Sequence, residues 1–310
     1  MALTLLEANK LHDGNVKRQA VIEMFAASTD LLRVLPFEDV PGGSLSYNKE
    51  GKLPGVGFRG FNEKYNSTEG ILNPEVEVLR IAGGQLDVDK AIIKTRGADI
   101  RTTQEAAHIK AMSLAIAAAM VNGDSNADVR QFDGLRKRIN GDQLVPANLS
   151  SPNGRAPLSL EALNTAIDRV DSPAHILMSK AMRTKLTSAA RNINVGGYIE
   201  TMKDEFGNLV TMFNGLPILI ADYDNNGQRI LNYNEAGPDG GANAQSIYVL
   251  SIGDGKVTGL QNGMMEVNDL GEVPDAPVLR TRIEWLVGFA VMHGRAASRL
   301  WGILDAPMTA

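Results

Sequence analysis

The clearest helical pattern in the chain lies between Thr102 and Asn122. Apolar side chains recur there at the spacing of one helix face, at Ile109, Met112, Ile116 and Met120. Much of the remainder is alanine, which lets a helix lie close against a sheet. Thr102 followed by Glu105 forms a capping box, and Asn122-Gly123 is a C-terminal signal. The pattern predicts a helix of about twenty residues, roughly 30 Å long.

The clearest strand pattern runs from Leu279 to Val291. One face carries Leu279, Ile283, Trp285, Val287, Phe289 and Val291. The other face begins with Arg280, Arg282 and Glu284. Such a strand is roughly 40 Å long at about 3.3 Å per residue, whereas most strands have about five or six residues. A long helix and a long strand far apart in sequence predict one elongated domain, with a second domain inserted between them.

The composition changes between Ser44 and Ile81. Short alternating patterns at 44–47 and 75–78 flank a middle, 48–73, that is rich in Gly, Asn, Lys and Glu and has few large aliphatic residues. Such a segment cannot build a core of its own. A long loop in a compact domain is usually functional or disordered. The flanking strand patterns favour an ordered, two-stranded projection whose partners lie on another chain.

The other elements complete an α+β pattern. A helix is predicted over Val16–Ser28, and a strand over Gln85–Lys94 precedes the long helix. The middle of the chain, about Asp124–Leu270, predicts a mixed domain with helices that begin near Ser159 and Ser179. Its strands are predicted at 216–221 and 247–252, between Gly, Asn and Asp turns.

Composition excludes several classes of protein. The 310 residues include no cysteine, which removes disulfides, thiolate metal sites and cysteine nucleophiles. The net charge is −5, and no block of five or six basic residues marks a nucleic-acid binder. The densest basic run, Arg136-Lys137-Arg138, is interpreted as a solvated face. Neither a signal peptide nor an apolar run long enough for a membrane span is present, which favours the cytoplasm.

Candidate chemistry is sparse. Gly55–Gly60 matches the dinucleotide pattern G-x-G-x-x-G but lacks the preceding strand and following helix, and is interpreted as a flexible loop. Asp222, Asp224 and Asn226 resemble the opening of a calcium loop, but Tyr233 stands where the bidentate Glu belongs, so they are a weak metal candidate. The four histidines show no metal-ligand spacing. We expect no catalytic residue, no cofactor and no enzymatic activity.

The order of these elements carries a resemblance. Phe132-Asp133-Gly134-Leu135 follows the long helix, and a segment from Gly207 through Asn214-Gly215-Leu216-Pro217-Ile218 closes at Asp222. Together with the ending 288–303, this ordered set is similar to the major capsid protein of tailed bacteriophages, whose fold is named after phage Hong Kong 97. The resemblance implies the following division: N-terminal arm 1–41, extended loop 42–81, peripheral domain with a long spine helix 82–123 and 271–295, and axial domain 124–270 and 296–310.

The resemblance also implies a function. The chain would self-assemble through hexamers and pentamers into the icosahedral head shell that encloses double-stranded DNA. It would bind no membrane and no specific DNA sequence. Its partners would be further copies of itself, a separate scaffolding protein and a portal, with decoration proteins as an option. It would be assembled in the host cytoplasm and reside in the virion capsid.

Contacts between subunits are expected in the extended loop. The candidate residues are Lys49, Lys52, Phe58, Arg59, Phe61, Lys64 and Tyr65. Two alternatives stay open: an encapsulin-type nanocompartment shell, which has the same fold, and a soluble α/β enzyme whose site is not visible in the sequence.

Overall fold

The structure, a computed structural model, describes residues 3–5, 21, 24–25, 28–97, 99–190, 197–203 and 209–309. Most of the helix predicted over Val16–Ser28 lies outside these residues, as does the start of the segment at Gly207. Among the described residues, no helix is both long and apolar enough to cross a membrane.

The described chain contains both strands and helices. The strands are β1 Leu3–Thr4, β2 Pro36–Asp39, β3 Ser44–Lys52, β4 Ile71–Val78, β5 Arg80–Asp89, β6 Leu144–Pro146, β7 His175–Met178, β8 Ile199–Lys203, β9 Leu209–Phe213, β10 Leu216–Ile220, β11 Ala244–Leu250, β12 Val257–Gln261, β13 Glu266–Glu272, β14 Val278–Val291 and β15 Ala297–Leu304. The helices are α1 Asp30–Val34, α2 Lys90–Arg96, α3 Asp99–Asn122, α4 Leu135–Arg138, α5 Leu160–Asp168 and α6 Lys180–Ala189. The predicted α+β fold is confirmed.

The long strand and the long helix are both present. β14 has 14 residues, and β5 pairs with it along its first ten. The helix α3 has 24 residues, about 36 Å at about 1.5 Å per residue. It begins at Asp99, so the predicted capping box at Thr102 does not start it. Glu105 instead accepts a hydrogen bond from the hydroxyl of Thr281, at 2.8 Å.

One apolar core joins α3 to β14. The predicted helix stripe, Ile109, Met112, Ile116 and Met120, belongs to the same buried cluster as Ile283, Trp285, Val287 and Phe289 of β14. Leu177, Leu219, Tyr248 and Leu250 of the second sheet also belong to it. The predicted apolar face of each element is therefore the buried face, and the core extends between the two sheets.

The strand predicted over Gln85–Lys94 is wrong at both ends. β5 begins earlier, at Arg80, and stops at Asp89. The carboxylate of Asp89 accepts a hydrogen bond from the backbone N–H of Ala91 at 2.7 Å, which caps α2. Residues 90–94 are therefore helical although their aliphatic side chains suit a strand.

The two larger sheets divide the remaining strands. The first has the order β1-β2-β12-β14-β13, with β5 also paired to β14. The second has the order β6-β15-β11-β7-β10-β9-β8, and α5 and α6 share a buried core with it. The strands β12 and β13 pair with β14, although the sequence division set residues up to 270 in the inserted part. The sequence division differs because turn residues mark where a strand ends but do not show which strand it pairs with.

Candidate assembly interface

The extended loop is a two-stranded hairpin that leaves the first sheet. β3 and β4 pair with each other from Ser44 opposite Val78 to Lys52 opposite Ile71, and they form a sheet of their own. The 18 residues between them, Leu53–Gly70, are exposed throughout, and we call them the loop tip. Because an isolated two-stranded hairpin is only marginally stable in water, contacts outside the hairpin must hold it.

A small apolar cluster holds the hairpin at its root. Leu79, directly after β4, is buried with Val40, Leu260 and Ala290. Leu45 of β3 packs against the same cluster. The backbone N–H of Leu79 donates to the carbonyl of Gly43 at 2.9 Å, which closes the hairpin base. The root is therefore part of the first sheet's packing, whereas the tip is not.

An ion pair fixes the direction of the hairpin. Arg138 lies in α4, and its two terminal guanidinium nitrogens donate to the carboxylate of Glu77, with Nη2 2.6 Å from Oε2. Arg138 also donates from Nε to the carbonyl of Asp133, at 2.7 Å. The side chains are only 12 % and 13 % exposed, so the interpretation of Arg136-Lys137-Arg138 as a solvated face is wrong for Arg138. A bidentate pair of this geometry constrains angle as well as distance.

A tyrosine adds to this anchor. The hydroxyl of Tyr47 lies 2.9 Å from Oε2 of Glu75, 3.2 Å from Oε1 of Glu77 and 3.4 Å from the carbonyl of Val291. Burial raises the pKa of Tyr47, and the two carboxylates raise it further, so the hydroxyl stays a donor at neutral pH. One face of the hairpin is thus tied to β14 and α4. Sequence reasoning missed this group, and its only local signal is the period-two spacing of Glu75 and Glu77.

The loop tip exposes its apolar side chains almost completely. Phe58 is 108 % exposed, Phe61 103 % and Val56 95 %. Among the described residues, nine of the eighteen exposed large apolar side chains lie in the hairpin, between Leu53 and Val78. This density in one projecting segment is typical of a surface that a partner covers.

Short contacts shape the tip. The hydroxyl of Thr68 donates to the carbonyl of Gly55 at 2.8 Å, and the carboxylate of Glu63 accepts from the N–H of Gly60 at 2.8 Å. The guanidinium carbon of Arg59 lies 5.2 Å from the ring centroid of Tyr65, within cation–π range. The glycine pattern 55–60 forms part of this exposed turn, with no helix after it to receive a nucleotide.

The remaining candidate residues take different positions. Lys49, half-buried, lies 3.8 Å from Glu75 on the anchored face, and Lys64 is exposed in the tip. The backbone of Lys52 pairs with Ile71, and its side chain lies outside the described part of the structure. The structure therefore brings Phe58, Arg59, Phe61, Lys64 and Tyr65 together in the tip and separates Lys49 from them.

The weak metal candidate forms a turn. The carboxylate of Asp224 accepts from the backbone N–H of Asn226 at 2.9 Å and of Gln228 at 2.7 Å. These bonds use the carboxylate to stabilise the turn. No group of three His, Cys, Asp or Glu side chains that could hold a metal ion occurs among the described residues.

Comparison with known proteins agrees with this geometry. Residues 13–151 match the family described as major capsid protein GP7. A capsid structure of a native GTA particle aligns with a TM-score of 0.61 at 15 % identity, over 89 % of this chain and 90 % of that chain. The chain has the Hong Kong 97-like fold of a major capsid protein. A structure from Microbacterium phage Oxtober96 aligns with a TM-score of 0.61 at 12 % identity, over 89 % and 91 % of the two chains.

The chain also resembles a compartment shell. The encapsulin of the holo-SrpI complex from Synechococcus elongatus PCC 7942 aligns with a TM-score of 0.64 at 18 % identity, over 100 % of this chain and 99 % of that chain. No curated protein sequence matches the chain. The family match over residues 13–151 and the shared fold agree with a shell subunit, and the exposed loop tip is the leading candidate for contact with another copy.

Proposed function

We propose that this capsid protein assembles through rings of six and five copies into the closed head of a tailed bacteriophage, which encloses double-stranded DNA. The observation that carries the proposal is the hairpin with a fixed root and a fully exposed apolar tip. A subunit that functions alone gains nothing from such a tip, whereas a ring closed by rotation places it against the next copy.

The domain division supports the same assembly. We assign the sheet of β14 and the helix α3 to a peripheral domain, and the sheet of β11 and β15 to an axial domain that points toward the ring centre. The extended loop leaves the peripheral domain at Leu79. Each contact between subunits can be weak, because the same contact repeats around the shell and the many copies together stabilise it.

The charge of the protein suits a container for DNA. The net charge of −5 keeps nonspecific attraction to phosphate low, so the shell does not hold the genome against release. A separate scaffolding protein and a portal are the proposed partners during assembly in the host cytoplasm, and the virion capsid is the proposed final location.

A nanocompartment shell is the second candidate. It is favoured by the alignment with the encapsulin of Synechococcus elongatus, which covers the whole chain. Particles purified from the native source distinguish the two functions, since a phage head contains DNA protected from nuclease and a nanocompartment contains a protein cargo.

Deletion of the extended loop tests the proposal. Replacement of residues 48–73 by a short turn removes the tip and keeps the root contacts of Leu79 and Arg138. We expect a folded monomer that forms no particles by sizing chromatography and negative-stain imaging, with scaffolding protein present. Phe58→Ser with Phe61→Ser is the companion variant, because it keeps the loop length and removes two exposed rings. Normal particles from both variants would contradict the proposed role of the loop.

A further inference from the structure

A shallow depression lies on the exposed face of the first sheet, where β5, β13 and β14 meet. Its lining includes Ile81, Met264, Glu266, Glu284 and Leu286. Its volume is about 190 Å³. That is well above the roughly 30 Å³ that one water molecule occupies in the liquid, so the depression can admit part of a side chain.

Two carboxylates face each other in this depression. Glu266 of β13 is directly opposite Glu284 of β14 in the antiparallel register, which puts both side chains on one face. Neither forms an ion pair within the described chain. Like charges directly opposite are unfavourable in a sheet, so the isolated subunit gains nothing from the pair. Arg282, the next residue on this face of β14, lies beside the side-chain amide of Gln85 instead, whose oxygen accepts from the guanidinium at 2.7 Å when the amide is turned over.

An uncovered apolar pair borders the carboxylates. Ile81 of β5 is opposite Leu286 of β14, and their side chains are 74 % and 37 % exposed. Glu284 has Gly83 opposite it on β5, which has no side chain to cover the carboxylate. The depression therefore combines negative charge with apolar surface, and its ligand should be cationic and apolar.

The loop tip has the complementary chemistry. Arg59 stands between Phe58 and Phe61, and no carboxylate pairs with it in the described structure, where it contacts Tyr65 and a backbone carbonyl. The tip cannot reach the depression of its own chain. The hairpin starts beside Ile81 and runs away from it for eight rungs, which is roughly 25 Å at about 3.3 Å per residue. A loop tip that occupies the depression must therefore come from a second copy.

We propose that the depression bounded by Glu266 and Glu284 receives the Phe58-Arg59-Gly60-Phe61 turn of a neighbouring copy. The guanidinium would lie between the two carboxylates, which relieves their repulsion, and one phenyl ring would cover Ile81 and Leu286. The proposal rests on the proposed shell function and adds the surface on which the loop tip binds.

Charge reversal tests the pairing. Arg59→Glu and Glu284→Arg should each reduce particle yield by about tenfold or more, because each puts like charges together at every repeat of the contact. The triple variant Arg59→Glu with Glu266→Arg and Glu284→Arg should recover to within about threefold of the wild type, since one carboxylate then lies between two guanidinium groups. Yields are measured by sedimentation and negative-stain imaging, and the fold of each monomer by far-ultraviolet circular dichroism.

Two further variants keep the test decisive. Glu200→Arg, an exposed glutamate on β8 in the other sheet, should assemble like the wild type. Glu284→Gln keeps the shape of the side chain, so this variant should fold normally. It removes one charge of the proposed contact, so the variant should assemble less well and its particle yield should change less with salt concentration. Assembly of either reversal variant at wild-type yield, or no recovery in the folded triple variant, would overturn the proposal. Failure of the wild type itself to form particles with scaffolding protein present would instead refute the shell function.

Discussion

Truncation of Trp285 offers the sharpest test of the shared core. The side chain is 2 % exposed and lies at the centre of an aromatic group. Its ring centroid is 5.4 Å from that of Phe25, edge to face, and 5.1 Å from that of Phe37. Trp285→Ala removes these contacts and leaves a cavity beside α3, so the free energy of unfolding should fall by about 3–5 kcal/mol.

One opposing effect sets the size of the loss. The indole N–H of Trp285 is buried and has no hydrogen-bond partner. Its removal relieves an unpaired donor that costs about 1–3 kcal/mol, and the two ring pairs contribute about 0.5–1.5 kcal/mol each beyond their buried area. These corrections nearly cancel, so we expect about 4 kcal/mol for alanine. Trp285→Phe keeps a ring and removes the donor, and should lose only about 1 kcal/mol.

Urea unfolding of the unassembled monomer measures both variants. A loss of about 4 kcal/mol should shift the midpoint by on the order of 1 M, because the dependence on urea rises with chain size. Trp301→Ala is the control within the same chain, since Trp301 is partly exposed in β15. Far-ultraviolet circular dichroism follows the transition without relying on tryptophan emission. If Trp285→Ala lost less than about 1 kcal/mol, or no more than Trp301→Ala, the apolar face of β14 would be wrongly assigned.

Three further predictions concern other buried groups. Burial lowers the pKa of His175 to about 4. Above its unfolded pKa of about 6.5 the imidazole is neutral in both states and costs no stability. As pH falls toward 4, the unfolded state binds a proton that the folded state does not, so the free energy of unfolding falls by up to about 3 kcal/mol. His175→Gln should remove this pH dependence in unfolding measurements. Glu235→Gln leaves the buried guanidinium of Arg299, 2.8 Å away, without its counter-charge, and should cost about 3–5 kcal/mol in urea unfolding. Gly123→Ala puts a Cβ 2.4 Å from two backbone carbonyl oxygens at the end of α3, and should lower the melting temperature, whereas Ala127→Gly in the following turn should change it little.

The surfaces proposed for assembly depend on contacts that join distant parts of the chain. Glu77 and Arg138 are 61 residues apart, and the hairpin direction depends on their pairing. Glu266 and Glu284 come together only because β13 aligns with β14 in one register. Sequence reasoning placed Arg138 on a solvated face because a run of three basic residues carries no sign of a partner so far away.

Local patterns along the chain were enough to predict which faces of the main elements are buried. The stripe of α3 and the alternation of β14 are local repeats, and apolar burial acts on them wherever they pack. Local composition also predicted that the middle of the extended loop has no core of its own. The end of β5 was visible only in the folded chain, where the backbone N–H of Ala91 donates to the carboxylate of Asp89 and a helix begins. The tertiary structure alone decided that β12 and β13 belong beside β14, because strand partners and register depend on contacts between segments that a local pattern does not record.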